Sequence, residues 1–225
     1  MAPCTWTRYL EAVPLLLDRD RELLRLRARL DAAAAGEGAL VLVEGQPGLG
    51  KTSLLRAAAR EAEMHGVEVA RARGAVLERD WPFGVVRQLL EPAVRGRSEE
   101  DCAALFWGAA RLAAGVVLGD PAVESVAMDP TSGTLHGLYW LCANLAAEGP
   151  LLLAVDDAQW ADAASLRFLG MLARRLDALP ILAVLAQRPG PPAPLAELGG
   201  DPQVERLALQ PLTVAAVEEL SLIHI

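Results

Sequence analysis

Residues 39–53 read ALVLVEGQPGLGKTS. A short apolar run meets Gly45, and Gly45 to Thr52 fits the pattern G-x-x-x-x-G-K-[ST]. Four fixed positions recur by chance in a chain this long with a probability of roughly 1%. The apolar run reads as a buried strand, and SLLRAAAREAEMHG after it as a helix closed by Gly66. Strand, glycine-rich turn and helix form the setting this motif requires. Glycines let the main chain curl so that successive N–H groups point inward at a phosphate. The helix N-terminus adds about half a positive charge. Lys51 then reaches the β- and γ-phosphates, and the Thr52 hydroxyl is placed to ligate Mg²⁺. The cofactor-binding set is Gly45, Gln46, Pro47, Gly48, Leu49, Gly50, Lys51, Thr52 and Ser53. The blander reading is a glycine-rich turn with an incidental lysine. Composition weighs against it, because among 21 basic residues Lys51 is the only lysine.

Working outward, the chain alternates strands and helices. VEVARARG, PLLLAVDD, PILAVLAQ and VERLAL read as four further strands. Asp18 or Asp20 is placed to cap a first helix with apolar positions Leu23, Leu26, Leu30 and Ala34. Asp162 caps a helix, ASLRFLGMLARRL, that puts Leu166, Leu169, Leu172 and Leu176 on one face. Between the second and third strands lies a helical stretch: Phe83 to Val94, Glu99 to Leu118, then Thr134 to Glu148. RPGPPAPL reads as a stiff proline-rich loop and TVAAVEEL as the start of a last helix. Alternation of this kind implies parallel pairing and a doubly wound α/β sheet.

The third strand ends in Asp156 and Asp157. Open α/β sheets bind ligands at the C-terminal edge of their strands, where Asp156 would hold Mg²⁺, through water, as the metal residue beside Thr52. Asp157 and Arg188 are the catalytic candidates. Asp157 either polarises the attacking water or gives electrostatic support only. Arg188 ends the fourth strand and either senses the γ-phosphate or is a solvated loop arginine. Arg174 and Arg175 read as C-terminal helix charges, with an arginine finger supplied in trans as the sharper idea. Trp160 reads as packing a loop and His136 as a core or interface histidine.

Bulk properties bound the rest. The 225 residues are 53% hydrophobic and 22% charged, enough apolar side chain for a packed core. A net charge of -8 does not support a generic nucleic-acid surface, which needs clustered basic residues. Cys4, Cys102 and Cys142 form neither a disulfide framework nor a zinc pattern, so a reducing cytoplasm is expected. No signal peptide and no run of about 18 apolar residues is found, so no membrane partner is expected. Ile223 and Ile225, two of three isoleucines, fall in the last five residues, SLIHI, which suggests a non-native tail on a truncated reading frame.

The pieces LLLDRDREL, ARGAVLERDWPFGVVRQLLEP, LHGLYWLCANLA and PLLLAVDDAQWADAASLRFLGMLARRL, with the phosphate motif, resemble a known group. So do LAQRPG and LALQPLTVAAVEEL. The chain looks like the ATPase module of the large ATP-binding LuxR-family regulators. These are signal-transducing P-loop NTPases close to the origin-recognition-complex-like AAA domains. The resemblance implies a parallel five-stranded sheet in the order 5-1-4-3-2, with helices on both faces and a helical insertion between strands 2 and 3. It implies that Asp156 and Asp157 are the acidic pair and Arg188 the first sensor. With the composition break at the end, the expected organisation is a leader of uncertain structure over 1–17, an ATPase domain over 18–220 with its lid cut short, and the tail over 221–225. The expected cofactors are ATP and Mg²⁺, with slow hydrolysis acting as the switch of a transcriptional regulator. The fragment's own partners are then ATP and, through bared lid-facing surface, copies of itself. DNA binding is expected of the full-length parent and not of this fragment. A small-molecule kinase is the alternative, and a scaffold with a vestigial loop is disfavoured by the intact motif. A GTPase is excluded, because its guanine reader needs an Asn-Lys pair that Lys51 and Asn144 cannot form.

Overall fold

The computed structural model describes residues 17–119, 132–190, 193–201, 204–214 and 216–217. The expected leader (all but residue 17) and tail, and most of the linker before Ser132, lie outside the described residues. Five strands form one parallel sheet: β1 (Ala39–Glu44), β2 (Glu68–Arg73), β3 (Leu151–Asp156), β4 (Ile181–Gln187) and β5 (Val204–Ala208). Their order is β2-β3-β4-β1-β5, the expected 5-1-4-3-2 counted from the other edge. β1 lies in register between β4 (Leu42 beside Leu185) and β5 (Leu42 beside Arg206).

The strands are apolar on both faces because both faces are covered. Side chains alternate across the sheet. Leu40, Leu42, Leu151, Leu153, Ile181 and Leu185 enter one core. That core is closed by α3 (Gly84–Val94), α6 (Ser132–Glu148) and α7 (Ala163–Ala173). Val41, Val43, Leu152, Ala154, Leu182 and Val184 enter the other, beneath α1 (Asp20–Ala34) and α2 (Lys51–Met64). α1 is fastened from outside: Arg25 and Arg29 pair with Glu205 of β5, and Arg27 pairs with Glu61 of α2.

Five expectations need correction. Glu99 to Leu118 is not one helix but α4 (Glu99–Leu105), a 3₁₀ turn (Gly108–Ala113) and α5 (Ala114–Leu118). The break falls at Gly108, whose φ of 67° leaves the helical region. The proline-rich loop gives way at Ala193 to α8 (Ala193–Gly200); proline is tolerated in a first helical turn because its missing N–H would have no partner there. Neither Asp18 nor Asp20 caps α1: Arg19 stands at the cap position, without a side-chain cap, and Asp18 is engaged elsewhere. On that helix Ala33, not Ala34, joins Leu26 and Leu30 in the core. His136 is not buried; it is exposed on α6, where its Nε2 accepts a 3.0 Å hydrogen bond from Trp140 Nε1.

The face of α7 follows the sequence, with Leu166, Leu169, Leu172 and Leu176 all buried. Arg174 and Arg175 follow its end, and Arg175 donates back to the Met171 carbonyl at 3.2 Å, as a C-terminal helix charge does. Cys102 and Cys142 are free, and burial pushes the Cys142 thiol up to about 12, which keeps it inert. Among the described residues no single helix is long and apolar enough to cross a membrane.

Candidate functional site

β1 stops at Glu44 and the chain turns through Gly45 to Gly50 before α2 begins at Lys51. Gly48 and Gly50 hold φ values of 83° and 84°, a left-handed conformation that a side chain would strain. This curl leaves the first amides of α2, those of Lys51, Thr52 and Ser53, without intrahelical acceptors. No acidic side chain occupies that first turn. The loop is therefore a concave set of donors at a positive helix end.

Lys51 is 7% exposed. Its Nζ donates to the carbonyls of Gly45 at 2.7 Å and Gln46 at 3.0 Å, which closes the loop on itself. Burial pulls its pKa below the usual lysine value; the nearby charge of Arg188 adds to this, and Asp157 and Asp156 oppose it. These influences put Lys51, both acids and Arg188 in one electrostatic neighbourhood.

β4 separates β1 from β3, and these two parallel strands bring their C-terminal ends to the same edge. There the Thr52 hydroxyl donates to Asp156 Oδ2 at 2.8 Å. Asp156 Oδ1 accepts from the Asp157 amide at 3.0 Å. Two hard oxygen donors in contact, one of them anionic, suit a divalent cation that completes its shell with phosphate and water. Thr52 and Asp156 are thus the residues that would hold Mg²⁺.

Asp157 adopts a left-handed conformation, with φ of 49°. Its Oδ2 accepts from Arg73 at 2.7 and 3.0 Å, and its Oδ1 from Gln159 Nε2 at 3.0 Å. Burial raises its pKa, but the hydrogen bonds from Arg73 and Gln159 and the charges of Arg73 and Arg188 outweigh that. The carboxyl is held below its ordinary range. Gln159 also accepts from the Arg188 amide at 3.2 Å, so one side chain joins Asp157 to the end of β4. The Arg188 side chain is exposed at that edge. Trp160 is half-buried in the short turn after Asp157.

The structure thus brings the phosphate loop, Asp156, Asp157 and Arg188 to one edge, while Arg174 and Arg175 lie away from it at the end of α7. It adds some that the sequence reading missed. Arg73 is one: β2 pairs with β3 so that Arg73 lies beside Asp156. Gln88 of α3 brackets the Arg73 backbone, accepting from its N–H at 2.9 Å and donating to its carbonyl at 3.2 Å. The alternation in VARAR, with the strand order, was the available signal for Arg73. A cavity of about 280 Å³ opens beside this group, lined by Thr52, Arg56, Arg73, Gln88 and Asp156 among others. A larger cavity, of about 590 Å³, lies over Trp81, Pro82 and Arg87 and is not the phosphate loop.

Comparison with known proteins agrees with this geometry. An uncharacterized protein of Rhizobium meliloti (strain 1021) is 27% identical over 224 aligned positions, covering 88% of this chain. The chain spans about a fifth (20%) of the length of that curated relative. Among solved structures, Cdc6p from Pyrobaculum aerophilum superimposes with a TM-score of 0.56 at 18% identity, covering 95% of this chain and 51% of that one. A Drosophila ORC chain, from a complex bound to DNA, gives 0.56 at 18% identity, with 92% and 46% covered. The Aeropyrum pernix ORC2 protein, solved in ADPNP–ADP complexes, gives 0.52 at 18% identity, with 87% and 48% covered. These likenesses establish the fold. The family profile described as AAA ATPase domain matches residues 16–185, three-quarters of the chain, and the chain belongs to that family.

Proposed function

We propose that this chain is a nucleotide-operated switch that binds ATP with Mg²⁺, hydrolyses it slowly, and serves as the ATPase module of a longer LuxR-type transcriptional regulator in the cytoplasm. The observation that carries the nucleotide reading is the 2.8 Å contact between the Thr52 hydroxyl and Asp156, beside a lysine-closed loop. The regulator reading is supported by DDAQWAD and WPFG in one chain, and by the greater length of the Rhizobium relative. Sensing and DNA reading belong to other parts of that parent.

In this reading the loop amides and Lys51 bind the phosphates, and Thr52 and Asp156 hold Mg²⁺. The bound metal would neutralise charge on the β- and γ-phosphoryl oxygens. Asp157, ionised at neutral pH, offers an acceptor to the attacking water, whose oxygen bonds to the γ-phosphorus as ADP leaves. Arg188 presents positive charge to the same phosphoryl group.

Titration calorimetry with ATP, with and without Mg²⁺, tests the site. In the wild type Mg²⁺ should tighten binding by about tenfold or more, a gain typical of a charge-assisted contact. In Asp156→Ala that gain should vanish while the weak metal-free binding persists. A Mg²⁺ effect of equal size in the variant removes Asp156 from the metal site.

Arg73 sets a second expectation. It holds Asp157 below its ordinary pKa, so Asp157 stays ionised well into acid and loses its charge only as pH falls through that lowered value. Arg73→Gln relaxes the pKa upward. The acid limb of the turnover–pH profile should therefore move to higher pH. A limb that stays in place means that Asp157 does not govern it.

A further inference from the structure

Two residues ahead of α1 are spent on neither helix capping nor the phosphate site. Arg19 is 3% exposed, yet among the described residues no carboxylate lies within hydrogen-bond reach; Glu22 is 3.6 Å away. Its Nη2 donates instead to two carbonyls far apart in sequence: Leu49, inside the phosphate loop, at 3.0 Å, and Gln210, just beyond β5, at 2.7 Å. Its Nη1 donates to the Asp18 carbonyl at 3.2 Å, and its Nε has no hydrogen-bond partner. Asp18, with φ of 53°, turns its carboxylate to Thr213, whose amide donates at 2.7 Å and whose hydroxyl donates to the same oxygen. The hydroxyl in turn accepts from the Ala216 amide at 3.3 Å, at the start of a helical turn. Leu209 N donates to the Glu44 carbonyl at 2.7 Å, so the chain leaving β5 runs alongside the root of the phosphate loop.

We propose that Asp18 and Arg19 form a clasp that ties the phosphate loop to the segment leaving β5, so that occupancy of the loop is transmitted to the chain after Gln210. This rests on the nucleotide reading above. The physical basis is the cost of a buried guanidinium. Its charge is met by the Glu22 carboxylate at 3.6 Å and its N–H groups by carbonyls, and a buried donor that loses its acceptor carries the full desolvation penalty. When the loop closes around phosphate, the Leu49 peptide is part of what moves. Displacing its carbonyl disturbs the Gln210 contact made by the same nitrogen. Asp18 supplies the second tie, fixing Thr213 to the residue next to Arg19. Linkage requires the coupling to be reciprocal: whatever nucleotide does for the segment, the intact segment does for nucleotide affinity. Asp18 and Arg19 are positioning residues and touch no reacting atom.

The test combines MgATP affinity, by calorimetry, with amide hydrogen exchange over residues 209–217, read by mass spectrometry. In the wild type, MgATP should slow exchange in that segment. Thr213→Val removes an exposed hydroxyl and leaves the core intact. It should lower MgATP affinity about fivefold, the worth of one ordinary hydrogen bond at an exposed position, and speed exchange in the nucleotide-free chain. Arg19→Met should lower affinity about tenfold or more and leave the segment fast even at saturating MgATP. The double variant should bind no more weakly than Arg19→Met, because both act through one device. A purely structural arginine would change the unfolding temperature without abolishing the nucleotide-dependent protection. If the wild type binds MgATP and its segment exchanges at the same rate with and without it, the clasp is overturned. Wild-type affinity in Thr213→Val overturns it too, even if Arg19→Met fails to fold. If the wild type binds no MgATP, the nucleotide reading falls first and the switching role with it.

Discussion

Lys51→Ala should weaken MgATP binding by about 100-fold, close to 3 kcal/mol, in a calorimetric titration. Two effects add. The ammonium group is the one lysine cation of the chain and stands at the mouth of a donor-lined loop, where a triphosphate needs its charge matched. It also closes that loop, through the carbonyls of Gly45 and Gln46. Its removal takes away the ligand's partner and loosens the cradle together. The ordering of the two is measurable, because Lys51→Arg keeps a cation but not its compact geometry. Arginine should restore only a small part of the affinity. Equal affinity in the wild type and Lys51→Ala would mean that the phosphates are held elsewhere.

The largest loss of stability should come from Asp162→Ala. This carboxylate is 3% exposed and serves two helices. Its Oδ1 accepts from the Ser165 amide at 2.8 Å, the cap of α7 that the sequence suggested. The same oxygen accepts from the Phe83 amide at 2.8 Å, and Oδ2 from Val85 at 3.3 Å, so it also caps the start of α3. Ser165 Oγ accepts from Val86 at 3.1 Å and completes the joint. Truncation strands three buried N–H groups at two positive helix ends, at a cost of about 3–5 kcal/mol. For a chain of this size the unfolding temperature should fall by about 10 °C. Asp162→Asn keeps one acceptor oxygen and should lose clearly less. A melting point for Asp162→Ala within about 2 °C of the wild type would show that the amides find other partners.

Local sequence was enough where the structure is locally determined. β1, its glycine turn and α2 follow from one uninterrupted stretch, and Asp156 from the apolar run that carries it. Asp162 was legible as a cap but not as a joint, because Phe83 and Val85 reach it across a chain separation that no local pattern encodes. Arg73 was missed for the same reason. Its role depends on β2 lying beside β3 in register, and no spacing along the chain states which strands are neighbours. Arg19 was hidden by its company: one arginine among Arg21, Arg25, Arg27 and Arg29 reads as solvated, and only the fold brings the carbonyls of Leu49 and Gln210 to it. The single helix expected from Glu99 to Leu118 failed because apolar periodicity continues through Trp107 and Gly108 while the backbone does not. The helix at Ala193 was obscured by the prolines before it.

The sheet places the two halves of the site unequally. The gripping half hangs from β1, flanked on both sides by other strands, whereas Asp157 is restrained by Arg73 from β2, a margin strand with one neighbour. Margins of sheets fray before centres do. Mild denaturant or warmth, well short of unfolding, should therefore disconnect cleavage from capture: the protein would go on holding its nucleotide after it had stopped, or changed the pace of, consuming it.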